Sequence, residues 1–231
     1  MRRMRTLVRR ARAAYPDNTF FDSLEETLRI SSQARASYRA YDKALSSLDP
    51  KSWKVLSDKA VKHFCDHRSG QLKQGFFNQI NEAFVYQFLV RQGYTNVSVL
   101  AEDGKKTPDL SYMKGASIGY CEVKSIGMSD KEIVRTEHEA VFDAEEIYHE
   151  RPSGFLKKLG DAIKQGDAQI RSKGATGIVF VVVQFDDFTL AHYGRYSEQI
   201  KQLLAQHEVL EVFIKVGLLG DKKIHKQPLG A

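Results

Sequence analysis

The sequence predicts an α/β fold in which a central mixed sheet is flanked by helices. Residues 177–184, GIVFVVVQ, form an apolar run too continuous for a one-sided edge strand, so the run belongs in the middle of a sheet with both faces covered. Residues 107–125, TPDLSYMKGASIGYCEVKS, place two alternating segments on either side of Lys114-Gly115-Ala116, the pattern of a β-hairpin. Between these stretches Phe155, Leu156, Leu159, Ile163 and Ile170 mark an amphipathic helix reaching about Lys173. Strand, helix and strand therefore follow in the order of a crossover unit.

Length and charge bound the reading. A chain of 231 residues suits one α/β domain with an appendage or two small domains, and 42% hydrophobic residues are enough for a packed core. The net charge of +6 and the pI near 9.2 favour a polyanionic partner. No apolar run approaches the roughly 18 residues of a membrane-spanning helix, so no membrane association is expected. Cys65 and Cys121 read as free thiols in a reducing cytoplasm. The opening MRRMRTLVRRARAAY has no apolar core and is not a secretory signal. Residues 1–16 are read as a basic arm, either a solvated tail, a targeting segment, or an arm whose Arg2, Arg3 and Arg5 neutralise phosphates.

The remaining elements follow in order. Ser23-Leu24-Glu25-Glu26 has the form of a capping box. Leu24, Leu28, Ala34, Tyr38, Tyr41, Leu45 and Leu48 then trace one face of a long helix. Asp49-Pro50 ends it and opens a second, with Trp53, Leu56, Ala60, Val61 and Phe64 facing inward and Ser69-Gly70 as its stop. Residues 17–70 thus read as a helical hairpin. His63 and His67 lie one turn apart, a spacing that suits a metal, but a third ligand is missing. Residues 71–92 form the next helix, apolar almost all round from Ala83 to Val90, with Gly93 as its stop. Residues 97–101 form a short strand, and a charged turn carrying Lys105 and Lys106 leads to Pro108-Asp109, where a phosphate backbone could pass. Residues 126–152 read as a charged insertion, a lid or a dimer contact, which leaves a homodimer open; His138 and His149 are its weak site candidates. A helix over 197–207, a last strand over 209–218 and a loose basic tail over 221–231 complete the chain.

The chemistry concentrates in the hairpin. Alternation puts Glu122 and Lys124 on one strand face and Cys121 and Val123 on the other, and the hairpin return can bring Asp109 back towards that pair. Two carboxylates and an ammonium on one face suit a hard divalent cation such as Mg2+. The plain alternative is a surface salt-bridge cluster.

Pro108-Asp109, twelve intervening residues and Glu122-Val123-Lys124 resemble the motif of the PD-(D/E)xK nuclease superfamily, over roughly residues 71–220. The resemblance implies a restriction-endonuclease-like core, with 126–152 inserted in it and the helical hairpin added before it. It implies a nuclease dependent on Mg2+ or Mn2+, most readily a DNA endonuclease, with an RNA-cleaving member or a non-catalytic nucleic-acid-binding or scaffold module as alternatives. Asp109 and Glu122 would be metal ligands, joined by the Val123 carbonyl. Lys124 would orient or deprotonate the water or steady charge on the phosphate. Glu82, on the helix before the first strand, matches the superfamily's upstream glutamate near the metal, with Asn78 and Gln79 one turn earlier. Gln169 matches a glutamine of the helix after the motif, with Lys164 and Gln165 as weaker candidates.

Overall fold

The computed structural model describes residues 1–67, 73–102, 104, 107–128, 153–174, 176–185, 190, 193–206, 211–219 and 224–226. The chain divides into two compact units: Met1–His67 with Lys73–Ser117, and Arg68–Leu72 with Ile118–Ala231. The result is an α/β protein whose second unit carries a mixed sheet flanked by helices.

The first unit begins with helix α1 (Arg2–Ala14), which departs from the loose arm expected of this segment. Met4, Leu7, Val8 and Ala11 recur at helical spacing and are buried, and that apolar face holds the helix down. Its arginines find partners inside the unit. The Arg3 guanidinium donates to the carbonyls of Leu45 and Leu48 and lies over the Trp53 ring, 5.2 Å from its centroid. Arg10 reaches Ser57 and, at 2.6 Å, Asp58, while Arg12 pairs with Asp22 and Arg5 with Glu25, each at 2.9 Å.

The expected long helix over 24–48 is two helices, α2 (Leu24–Ile30) and α3 (Ser32–Ser47). Ser31 adopts an extended backbone and its hydroxyl accepts the Ala34 N–H, so the residue caps a new helix instead of continuing the old one. At Ser23 no side-chain cap forms. Helix α4 (Pro50–Lys62) starts where Asp49-Pro50 predicts. The Asp49 carboxylate accepts the N–H groups of Lys51 and Ser52 at 2.8 and 3.0 Å, and the Tyr86 hydroxyl donates to its other oxygen at 3.2 Å. Burial pushes the Asp49 pKa up, but the Ser52 hydroxyl and these donors outweigh it and hold the carboxyl below its usual range. The helix ends at His63, before the expected stop.

Helix α5 (Gln74–Arg91) buries Phe76, Ile80, Ala83, Val85, Tyr86 and Leu89, and with them the polar Asn81 and Glu82. Phe76, Phe64 and Phe21 pack mutually with centroids 5.5 to 5.6 Å apart, joining α5 to the end of α4. Gly75 sits where a β-carbon would lie 2.5 Å from the His63 carbonyl oxygen, so this approach of the two helices requires glycine. Strand β1 (Thr95–Val99) pairs antiparallel with β2 (Leu110–Lys114), with Val99 opposite Leu110. The Val99 N–H donates to Ser52 Oγ at 3.1 Å and ties α4 to β1.

A turn with Gly115 at φ +62° leads from β2 into β3 (Ser117–Ile126). In the second unit β3 runs parallel to β4 (Gly177–Val183), β4 parallel to β5 (Glu211–Val216), and β5 antiparallel to β6 (Ile224–Lys226). Every residue of β4 is buried, and the strand lies between β3 and β5, as its unbroken apolar run predicts. Helix α6 (Ser153–Arg171) supplies Leu159, Ile163 and Ile170 to this core, and α7 (Tyr193–Ala205) supplies Ile200 and Leu204. Strand β6 falls in the segment expected to be a loose tail; its backbone pairs with Phe213, Ile214 and Lys215 of β5. Among the described residues no helix is long and apolar enough to cross a membrane. Cys121 is buried and Cys65 exposed, both as free thiols.

Replacing Asp49 with alanine removes the α4 cap and the acceptor of the Tyr86 hydroxyl. The expected loss is about 1–2 kcal/mol, read as a lower urea midpoint with an unchanged slope.

Candidate active site

The sequence-predicted residues fall into two groups, one in each unit. In the first unit α5 presents Glu82, 3% exposed, and the residue before β2 presents Asp109, whose side chain is 20% exposed. The Asp109 backbone is held because its carbonyl accepts the Leu100 N–H at 2.8 Å, extending the β1–β2 ladder by one bond.

Between the two carboxylates stands Lys59 of α4. Its ammonium lies 2.6 Å from Glu82 Oε1 and 3.6 Å from Asp109 Oδ1, and the residue is 7% exposed. Burial works to lower the Lys59 pKa. The charges of Glu82 and Asp109, the hydrogen bond to Glu82 and the more distant Glu102 outweigh burial and hold it above the ordinary lysine value. Sequence reasoning missed Lys59. The available signal was its place three residues after Leu56 and seven after Ser52, on a helix flank where both neighbours are buried.

In the second unit Glu122 and Lys124 share one face of β3, as alternation predicts. Glu122 is 3% exposed, and the Lys124 ammonium donates to its Oε1 at 2.7 Å. Parallel pairing sets Glu122 opposite Val179 and Lys124 opposite Val181, so the pair lies alongside the all-buried β4. Val123, in the intervening position, pairs with Phe180.

Helix α6 closes on this face at Gly166, a residue the sequence reading passed over. A β-carbon there would stand 2.8 Å from Val179 Cγ1 and 3.4 Å from Glu122 Cγ. Gln169, one turn further along α6, is half-buried, whereas Lys164 and Gln165 are exposed. On α5, Asn78 and Gln79 are half-buried and the Gln79 side-chain oxygen is buried without a hydrogen-bond partner among the described residues.

Other candidates are placed differently. The His63 ring lies between two carboxylates, Nδ1 2.6 Å from Asp66 and Nε2 2.8 Å from Glu102, instead of sharing a ligand with the exposed His67. Arg3 and Arg5 are engaged within the first unit, while Arg2 is exposed. Lys105, Lys106, His138, His149 and residues 129–152 lie outside the described residues.

Among the described residues no group of three or more His, Cys, Asp or Glu side chains is poised to hold a metal ion. In the first unit the two carboxylates of Glu82 and Asp109 face one positive charge, the Lys59 ammonium. Comparison with protein-family models, with curated proteins and with solved structures finds no match for this chain.

Two outcomes follow from these contacts. Gly166→Ala forces α6 away from Val179 and Glu122 and is expected to cost about 1–3 kcal/mol, measured by urea unfolding. Lys59→Met leaves Glu82 buried without its counter-charge, an expected loss of about 3–5 kcal/mol. Because the folded pKa of Lys59 is raised above 10.5, its contribution is complete below that pH and fades as pH rises through the folded value. Melting curves of the wild type and the variant should therefore differ most at neutral pH and converge on the alkaline side of 10.5.

Proposed function

We propose that this chain is a divalent-metal-dependent nuclease with a restriction-endonuclease-like core, hydrolysing phosphodiester bonds and favouring DNA over RNA. The observation that carries the reading is the buried Glu122 with the Lys124 ammonium 2.7 Å away on the same strand face, the side-chain arrangement that a Glu-x-Lys motif requires. The net charge of +6 supports a polyanionic substrate.

By the motif, Asp109 and Glu122, with the Val123 carbonyl, would be the oxygen ligands for Mg2+ or Mn2+. When bound, such an ion supplies a Lewis acid and lowers the pKa of its water. Lys124 keeps its ammonium at the Glu122 carboxylate, where it would orient the attacking water and offset charge building on phosphate oxygens. Glu82 acts near Asp109 from α5. Gln169, half-buried and three residues after Gly166 on α6, would contribute a neutral polar contact.

A second reading is a nucleic-acid-binding or scaffold module without catalysis. It is favoured by the Lys59 ammonium, which already compensates Glu82 and Asp109.

Cleavage of plasmid, linear duplex, branched and single-stranded DNA, and RNA, with Mg2+, Mn2+ or EDTA, separates the readings. The nuclease reading expects metal-dependent cutting that falls about 10²-fold or more in Lys124→Ala and Glu122→Gln. Cutting that persists in EDTA or in Lys124→Ala would sink it, and binding without cutting would favour the module.

A further inference from the structure

We infer that His63 is a proton-operated clamp: as an imidazolium it fastens the segment after β1 to the end of α4, and as a neutral ring it lets that segment loosen. The inference goes beyond the proposed function and stands whether or not the chain cuts nucleic acid.

His63 closes α4, and its ring uses both nitrogens. Nδ1 lies 2.6 Å from Asp66, just after the helix, and Nε2 lies 2.8 Å from Glu102, just after β1. An ionised carboxylate only accepts, so both contacts are hydrogen bonds only when each ring nitrogen carries a proton. A neutral ring has one N–H, and its other nitrogen then turns a lone pair towards a carboxylate. Histidine is the side chain whose ordinary charge change falls between pH 5 and 8.

The other charged groups around the ring do not replace it. Lys62 pairs with the same Glu102 at 2.5 Å, but from an exposed position. Burial pushes the Glu102 pKa up; the hydrogen bonds from Lys62 and His63 outweigh it and hold the carboxyl below its usual range. Glu102 therefore stays ionised while His63 changes charge. Lys59, one turn earlier on α4, acts on Glu102 through its charge and is bonded to Glu82. Lys73, at the start of α5, lays its ammonium over the Phe64 ring, 4.1 Å from the centroid. The Tyr15 hydroxyl, after α1, donates to the Lys62 carbonyl at 3.4 Å. Cys65 and His67 are exposed.

The clamp acts on backbone that matters to the first unit. Leu100, two residues before Glu102, donates its N–H to the Asp109 carbonyl at 2.8 Å, and the Asp66 carbonyl accepts the Gly75 N–H at 2.6 Å. One ring thus joins the α4–α5 junction to the end of the β1–β2 ladder.

The test is amide hydrogen exchange of the full-length protein, followed by NMR at pH 5.5 and 7.5, with each rate referred to its intrinsic value. Leu100 reports the clamp and Val181 of β4 reports global opening. Protection at Leu100 is expected to fall about tenfold or more from the lower to the higher pH. His63→Gln keeps a donor but cannot titrate, and should flatten the response to within about twofold. Glu102→Gln should flatten it too, because an amide suits either charge state of the ring; it serves if His63→Gln does not fold. His67→Gln should respond as the wild type does.

The inference is overturned if Leu100 is equally protected at both pH values in the wild type, or if the response survives in His63→Gln or Glu102→Gln. It is also overturned if these variants lower protection at Leu100 and Val181 alike at both pH values, the mark of a histidine that only supports the fold. Failure of the cleavage assay sinks the nuclease reading and leaves this result untouched.

Discussion

Among the described residues each unit buries one glutamate, Glu82 in the first and Glu122 in the second, and each of the two is paired with a lysine. Glu82 takes the Lys59 ammonium at 2.6 Å and Glu122 takes that of Lys124 at 2.7 Å. A carboxylate removed from water without a counter-charge would lose several kcal/mol or give up its ionisation. Both pairs therefore constrain their surroundings: the helices and strands must deliver acid and base to the same place. Hydrophobic packing gives the units their bulk, but these two contacts decide which backbone positions have to be accurate.

The pairs are built by different means. In β3 the two-residue strand repeat delivers both partners, and parallel pairing with an all-buried neighbour keeps the strand in register. Gly166 lets a helix lie directly over that face, where a single methyl group would collide with Val179. In the first unit the partners come from separate helices. Their accuracy depends on the Asp49 cap, the bond from Val99 to Ser52, and the tight crossing at Gly75. A pair assembled from distant segments can be tuned by changes far from the chemistry, whereas a pair on one strand cannot.

Charge in this protein is less available than its composition suggests. Arg3, Arg5, Arg10 and Arg12 of α1 are spent on carbonyls, on acidic side chains and on the Trp53 ring. Surface pairs of this kind add little stability, yet Arg3 also covers the C-terminal end of α3, where unsatisfied carbonyls favour a cation. The buried Met4, Leu7, Val8 and Ala11 are what make the segment a helix of the fold, with its basic side chains as the outer lining.

The sequence by itself determined the features whose physics is local. Continuous apolarity identified β4 as central, alternation put Glu122 and Lys124 on one face, Asp49-Pro50 announced the start of α4, and Gly93 marked the end of α5. Local rules failed where two local options were close in energy. Ser31 could fill a gap in a helical pattern or cap a new helix, and the six arginines near the start masked an apolar stripe at the same spacing. The three residues of β6 are too few to signal a strand without the β5 edge that pairs with them. Only the tertiary structure decided that Lys59 meets Glu82 and Asp109. Its partners lie on other elements, and no periodicity within α4 specifies which charge a buried lysine will face. Patterns of burial are written in nearest-neighbour spacing, but the pairing of buried charges is settled by which segments pack together.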